Sequence, residues 1–233
     1  MLNLRKICVF DFETDSPDPH TCQPVELAAI MIDPRKLKII EKSDFSSMMR
    51  PADIDDETYY EEHKDTIDWH ARQLDKKPLE ILESWKAAPL QKNAWSEFKT
   101  YLKMYHVSDT RKSSFTAPIC AGYNHLGFDN YIIQRLSEKY NDIDKRGKTK
   151  LFFGRDQLDV MHMVFMFFEN LEALDSYSLD SVRELTGMPS EGAHRALKDV
   201  EDTGEMLIRF MRQIRQLAGR LNFKDAHKRS PLL

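Results

Sequence analysis

The chain has 233 residues, 41% apolar and 31% charged, with a mean hydropathy of −0.56. That composition supplies a sizeable core and excludes a chain built of membrane spans, since the tightest apolar run, Met163–Phe168, is far too short to cross a bilayer. A formal charge of −4 argues weakly against general nucleic-acid binding, unless bound divalent cations neutralise some of the acids.

Read in chain order, the opening MLNLRKICVF has neither a long apolar run nor a small-residue cleavage site and does not read as a signal peptide. Residues 5–12 read as a buried strand, Val25–Asp33 as a second and Lys38–Met49 as a third, with Asp33-Pro34 turning between the last two. Residues 51–92 fit neither period well, and their Trp and Pro content suggests helices and loops packed on the main body. Trp95, Phe98, Leu102 and Tyr105 recur at helical spacing. Ala117–Asn124 reads as a fourth strand, followed by a helix over Phe128–Tyr140. A short helix over Ser178–Gly187 ends at Gly187. A long helix over 195–221 carries the stripe Leu207, Phe210 or Met211, Ile214, Leu217 and Leu221. The order β-β-β-α-β-α and then helices predicts one α/β domain over 1–223 with a mixed sheet, and a loosely held tail over 224–233. Cys8, Cys22 and Cys120 are far apart and lack a C-x-x-C pattern, so buried reduced thiols in an intracellular, cytoplasmic protein are expected.

Three acidic stretches stand out. In FDFET, Asp11 and Glu13 lie two apart on a strand and so share a face. Like charges that close raise each other's pKa, and a bound cation reverses the sign. Hard oxygen ligands select Mg²⁺ or Mn²⁺. In YNHLGFDNYII a strand turns into a helix, with Asp129 near its N-terminus. Alone, Asp129 is an ordinary first-turn acid that suits the helix dipole. In GAHRALKD, His194 and Asp199 lie five apart. On one continuous helix they would diverge, so His194 belongs on an entering loop, to which Gly192 lends freedom.

Together these segments resemble the DEDDh branch of the 3′→5′ exonucleases, in the ribonuclease-H-like (DnaQ-like) superfamily. The D-x-E motif is Asp11 and Glu13, the N-x-x-x-F-D motif is NHLGFD with Asp129, and the H-x-A-x-x-D motif is HRALKD with His194 and Asp199. QLDVMH and YSLDSVREL look like the strand and helix that family members carry between the second and third motifs. FDFET with QPVELAAIMID, and GYNHLGFDN, look like bacterial exonuclease I. HKDTIDWHARQ looks like a segment of phage exonuclease A, with His70 where that pattern has a second Trp.

The resemblance implies a mixed five-stranded sheet in order 3-2-1-4-5, flanked by helices. It implies two divalent metal ions, Mg²⁺ or Mn²⁺. Asp11 would bridge them, Glu13 and Asp199 would complete one and Asp129 would help hold the other, with His194 as the general base. It also implies release of nucleoside 5′-monophosphates from a free 3′ end, single-stranded DNA favoured, with RNA or a proofreading role beside a separate polymerase as alternatives. Thr14, Asn124, His125 and Phe128 are the candidate substrate contacts. Phe128 also suits the core, and His125 also suits a turn. Trp69 and the Met/Phe cluster FFGRDQLDVMHMVFMFF read as core packing. The basic cluster DKRGKTK and the row Arg209, Arg212, Arg215, Arg220, Lys224, Lys228 and Arg229 read as solvated faces unless the site faces them.

Overall fold

A computed structural model of the chain describes residues 5–107, 113–172, 174–189, 191 and 195–220. The predicted tail, 224–233, and His194 lie outside the described residues.

Strand β1 (Ile7–Thr14) is the centre of the sheet. It pairs antiparallel with β2 (Pro24–Asp33) and parallel with β5 (Ile119–Gly122), which pairs parallel with β6 (Gln157–Asp159). β3 (Lys38–Ile39) and β4 (Phe45–Met48) both pair with β2, so the order is β3-β2-β1-β5-β6 with β4 beside β2. The sheet therefore has six strands where five were expected. The single strand predicted over Lys38–Met49 is broken: Lys42 turns the chain at φ 56°, and the Ser43 hydroxyl accepts the Met31 amide at 3.0 Å in place of a ladder partner. Between β4 and β5 come α1 (Tyr59–Glu62), α2 (Lys64–Gln73), α3 (Pro78–Ala87) and α4 (Gln91–Met104). After β5 come α5 (Asp129–Lys139), then α6 (Val160–Phe168), α7 (Leu179–Thr186) and α8 (Ala196–Arg220).

Both faces of β1 are covered, which is why it reads as a nearly unbroken apolar run. Cys8, Phe10 and Phe12 enter one core with Leu27, Trp95, Phe98 and Ile132. Ile7 and Val9 enter the other, with Ile30, Val200 and Leu207. Asp11 and Glu13 continue this second, α8-facing row beyond its apolar part. Helix α8 lies close on that face because of Gly204: a Cβ there would stand 2.7 Å from Ile30 Cδ1. Among the described residues, the predicted α8 stripe is buried as far as Phe210, and Leu221 lies outside them. Ile214 and Leu217 are 47% and 51% exposed, because the helix overruns the sheet. The Met/Phe run of α6 also divides. Val160 and Val164 are buried, Phe167 and Phe168 pack on the core, and Met166 is 76% exposed.

Residues 51–92 build a small core of their own, Ile54, Tyr59, Ile67, Ile81 and Trp85, joined to the sheet through Val25. Cys8, Cys22 and Cys120 are buried free thiols. Among the described residues no helix is long and apolar enough to cross a membrane.

Candidate active site

The α8-facing row of β1 leaves the core at Asp11, and a register shift between Glu13 and Thr14 re-aims the strand's end. Asp199 enters from the first turn of α8. One oxygen each from Asp11, Glu13 and Asp199 lie within 4.8 Å of one another. The antiparallel register adds Glu26 directly opposite Glu13. Asp129 stands beside this trio, buried, its Oδ1 accepting the Phe12 amide at 2.9 Å.

These carboxylates oppose one another. Burial, then repulsion from Asp129, Glu13, Asp199 and Glu26, pushes Asp11 well above the usual carboxylate range. Burial, then Asp199, Glu26 and Asp129, pushes Glu13 up to about 8. Burial pushes Asp129 up to about 7 against its backbone hydrogen bonds. Burial also raises Glu26, which the Ser46 hydroxyl and the Arg195 charge pull the other way. A donor set of three converging oxygens, with no sulfur or nitrogen among them, fits a hard divalent cation such as Mg²⁺ or Mn²⁺. Such a cation would offset the repulsion among these carboxylates.

A cleft of about 410 Å³ opens beside Glu13. It is lined by Phe12, Glu13 and Thr14 of β1, by a wall of Thr66, Trp69 and His70 from α2, and by Phe128. The α2 wall is pinned to β1. His70 Nε2 donates to the Thr14 carbonyl at 3.1 Å, His63 Nδ1 donates to the Asp15 carbonyl at 3.0 Å, and the Tyr59 hydroxyl donates to the buried Asp15 carboxylate at 3.0 Å.

No family model matches the chain, and no curated protein matches it in sequence. Solved structures do match. Escherichia coli exonuclease I in complex with a dT13 oligonucleotide has a TM-score of 0.62 at 16% identity, over 93% of this chain and 43% of that one. Exonuclease I from Methylocaldum szegediense gives 0.58 at 20% identity, over 91% and 41%. Cell-death related nuclease 4 gives 0.60 at 14% identity, over 89% and 64%. The chain has a ribonuclease-H-like α/β fold, which it shares with these solved structures. It spans about 43% of the length of E. coli exonuclease I.

On this fold, Asp11, Glu13 and Asp199 come together and Asp129 stands next to them. Thr14 and Phe128 share the cleft with Glu13, and Phe128 also packs on the core. Asn124 and His125 are not in the cleft. Asn124, at φ 55°, turns the chain and donates its amide to Asp159. His125 is wholly buried, with its ring 6.0 Å from that of Phe10, and burial pushes its pKa down to about 4. A neutral side chain with no accessible surface finishes the turn and does not reach a phosphate. Of the basic row, Arg209, Arg212 and Arg215 lie ten or more residues beyond Asp199, about 15 Å or more along α8 at 1.5 Å per residue, so they do not line the site; the Arg220 side chain, Lys224, Lys228 and Arg229 lie outside the described residues.

Three residues near the site escaped the sequence reading. Trp69, expected in the core, is half-buried on the cleft wall. Glu26 carries no motif signal and joins the cluster only through strand pairing. Asp159 holds the second-motif turn by accepting the Asn124 and Leu126 amides, both at 3.0 Å, and caps α6 through the Met161 amide. Its signal, an acid between a strand and a helix, was there to be read.

The raised carboxylates make a prediction for the metal-free protein. The folded pKa of Glu13, about 8, lies above its ordinary value of 4.5, and Asp11 is raised as well. Between those values the folded chain binds more protons than the unfolded one, so the stability that this cluster contributes falls as pH rises. In EDTA, Tm is expected to drop by about 5 °C or more between pH 5 and pH 8, and Mn²⁺ at pH 8 is expected to restore it. Glu13→Gln should flatten the dependence. A flat Tm in the native chain would contradict this account of the cluster.

Proposed function

We propose that this chain is a metal-dependent 3′→5′ exonuclease that shortens single-stranded DNA and releases nucleoside 5′-monophosphates. The observation that carries the reading is the convergence of Asp11, Glu13 and Asp199 within 4.8 Å at the edge of an aromatic-walled cleft. Asp11, Glu13 and Asp199, with Asp129 beside them, would hold two Mg²⁺ or Mn²⁺ ions. Bound there, the ions supply Lewis-acid polarisation of the scissile phosphate and the attacking water. His194 of the HRALKD motif accepts the proton of that water. The backbone and hydroxyl of Thr14 meet the terminal nucleotide, whose base lies between Trp69 and Phe128. That exonuclease I binds dT13 and dA16 oligonucleotides supports single-stranded DNA as the substrate.

The test uses matched linear and circular DNA, and linear RNA, 5′-labelled where an end exists, with Mg²⁺ or EDTA. Linear DNA is expected to shorten stepwise from its 3′ end, circles to survive, and EDTA to stop the reaction. Cleavage of circles or full activity in EDTA would overturn the proposal, and faster shortening of RNA would make the enzyme an exoribonuclease.

Trp69→Ala tests the cleft. Stacking on an aromatic side chain is worth about 1–3 kcal/mol per base, so KM for a DNA oligomer is expected to rise about 5- to 150-fold, with kcat changed less. An unchanged KM would return Trp69 to a packing role.

A further inference from the structure

Arg183, on α7, is 1% exposed, and its guanidinium meets three carboxylates. Nη1 donates to Asp180 Oδ1 at 2.8 Å, Nε to Asp202 Oδ2 at 2.8 Å and Nη2 to Asp199 Oδ1 at 2.5 Å. Asp202, one turn beyond Asp199 on α8, is also buried and takes a second bond from Lys198 Nζ. Two of the three contacts have a structural explanation. The Asp202 contact clips α7 to α8 and compensates its buried carboxylate, and the Asp180 contact is an i,i+3 pair within α7. The third differs, because Asp199 also faces Asp11 and Glu13.

A guanidinium is a rigid planar fork. With Asp180 and Asp202 holding Nη1 and Nε, the direction from which Nη2 reaches Asp199 is set. With Oδ1 held, the carboxylate cannot turn freely about its Cβ–Cγ bond, and the side it presents to Asp11 and Glu13 is set too.

We propose that Arg183 is a positioning residue for the metal site, fixing the carboxylate plane of Asp199 toward Asp11 and Glu13. The proposal rests on the reading of Asp199 as a metal ligand. It makes a different prediction from a role of charge alone. As a charge, Arg183 opposes a bound cation, and its removal should tighten metal binding. As a positioning group, its loss should weaken metal binding, because partners that orient metal ligands are worth about 10- to 100-fold in affinity or activity.

The experiment measures Mn²⁺ affinity of the full chain by calorimetry or electron paramagnetic resonance, with Tm recorded in parallel. Arg183→Lys keeps the charge and removes the fork, and Arg183→Met removes both. Asp202→Asn disturbs the same cluster without touching Asp199. Both Arg183 variants are expected to bind Mn²⁺ about 10- to 100-fold more weakly. At saturating Mn²⁺ their kcat should fall while KM for a DNA oligomer stays the same. Asp202→Asn keeps Arg183 and only weakens its hold on Nε, so it should lose stability and weaken Mn²⁺ binding less than either Arg183 variant. Native affinity in Arg183→Lys, tighter binding in Arg183→Met, or equal weakening in Asp202→Asn would each overturn the proposal. If Arg183→Met does not fold, Arg183→Lys decides. Asp199→Asn in otherwise native protein separates the two claims: unaltered Mn²⁺ binding there would remove Asp199 as a ligand, and the role of Arg183 with it.

Discussion

Asp11→Asn is expected to lower the hydrolysis of single-stranded DNA by about 10³-fold or more while leaving the chain folded. Metal-ion catalysis supplies several kcal/mol of transition-state stabilisation, and each 1.36 kcal/mol is a factor of ten. Asp11 is the side chain most exposed to repulsion from the others, with Asp129, Glu13, Asp199 and Glu26 all acting on it. An amide of the same shape removes a ligand and also relieves that repulsion. The variant's metal-free Tm is therefore expected to equal or exceed that of the native chain at pH 8, and its stabilisation by Mn²⁺ to shrink. Loss of activity together with a higher metal-free Tm is a signature that simple misfolding cannot produce. Near-native turnover would show that the metals lie elsewhere.

His194→Ala is expected to lower kcat by about 10²- to 10⁴-fold, the usual worth of a general base. This loss should differ in kind from that of Asp11→Asn. The variant keeps all four carboxylates, so Mn²⁺ affinity and oligonucleotide binding should persist. Activity of the native chain should rise with pH as the imidazole loses its proton, and the residual activity of the variant should lack that step. Full turnover with an unchanged pH profile would remove His194 from the reaction. Loss of Mn²⁺ binding would make it a ligand instead.

Part of the site was readable because its determinants are local. Alternation along β1 alone places Asp11 and Glu13 on one face, and the apolar row Ile7 and Val9 shows which core that face serves. Strand-to-helix punctuation located Asp129 and Asp199, and Gly187 marked the end of α7, where its φ of 66° closes the helix. Motif order supplied the resemblance and, through it, the sheet order.

Other features were decided only by contacts between segments far apart in the chain. Glu26 opposes Glu13 through antiparallel register, and a slip of one residue would have turned it to the other face. Trp69 is at a helical spacing that suits a core, yet it lines the cleft, on a helix whose His70 bonds the Thr14 carbonyl at the end of β1. His125 lies one residue from an exposed turn, yet the packing of Phe10 and Cys120 closes over it. Arg183 reads as one charge on a short helix until α8 brings Asp199 and Asp202 against it. The sequence by itself determined the periodic elements, the order of the acidic motifs and the chemistry those acids suit. The tertiary structure decided which carboxylates meet, that Arg183 holds Asp199 and Asp202, and which aromatic ring faces the cleft. Periodicity acts over a few residues, whereas Glu13–Glu26, Arg183–Asp199, Thr14–His70 and Phe10–His125 join positions 13, 16, 56 and 115 residues apart, and no local pattern encodes the direction from which a distant segment arrives.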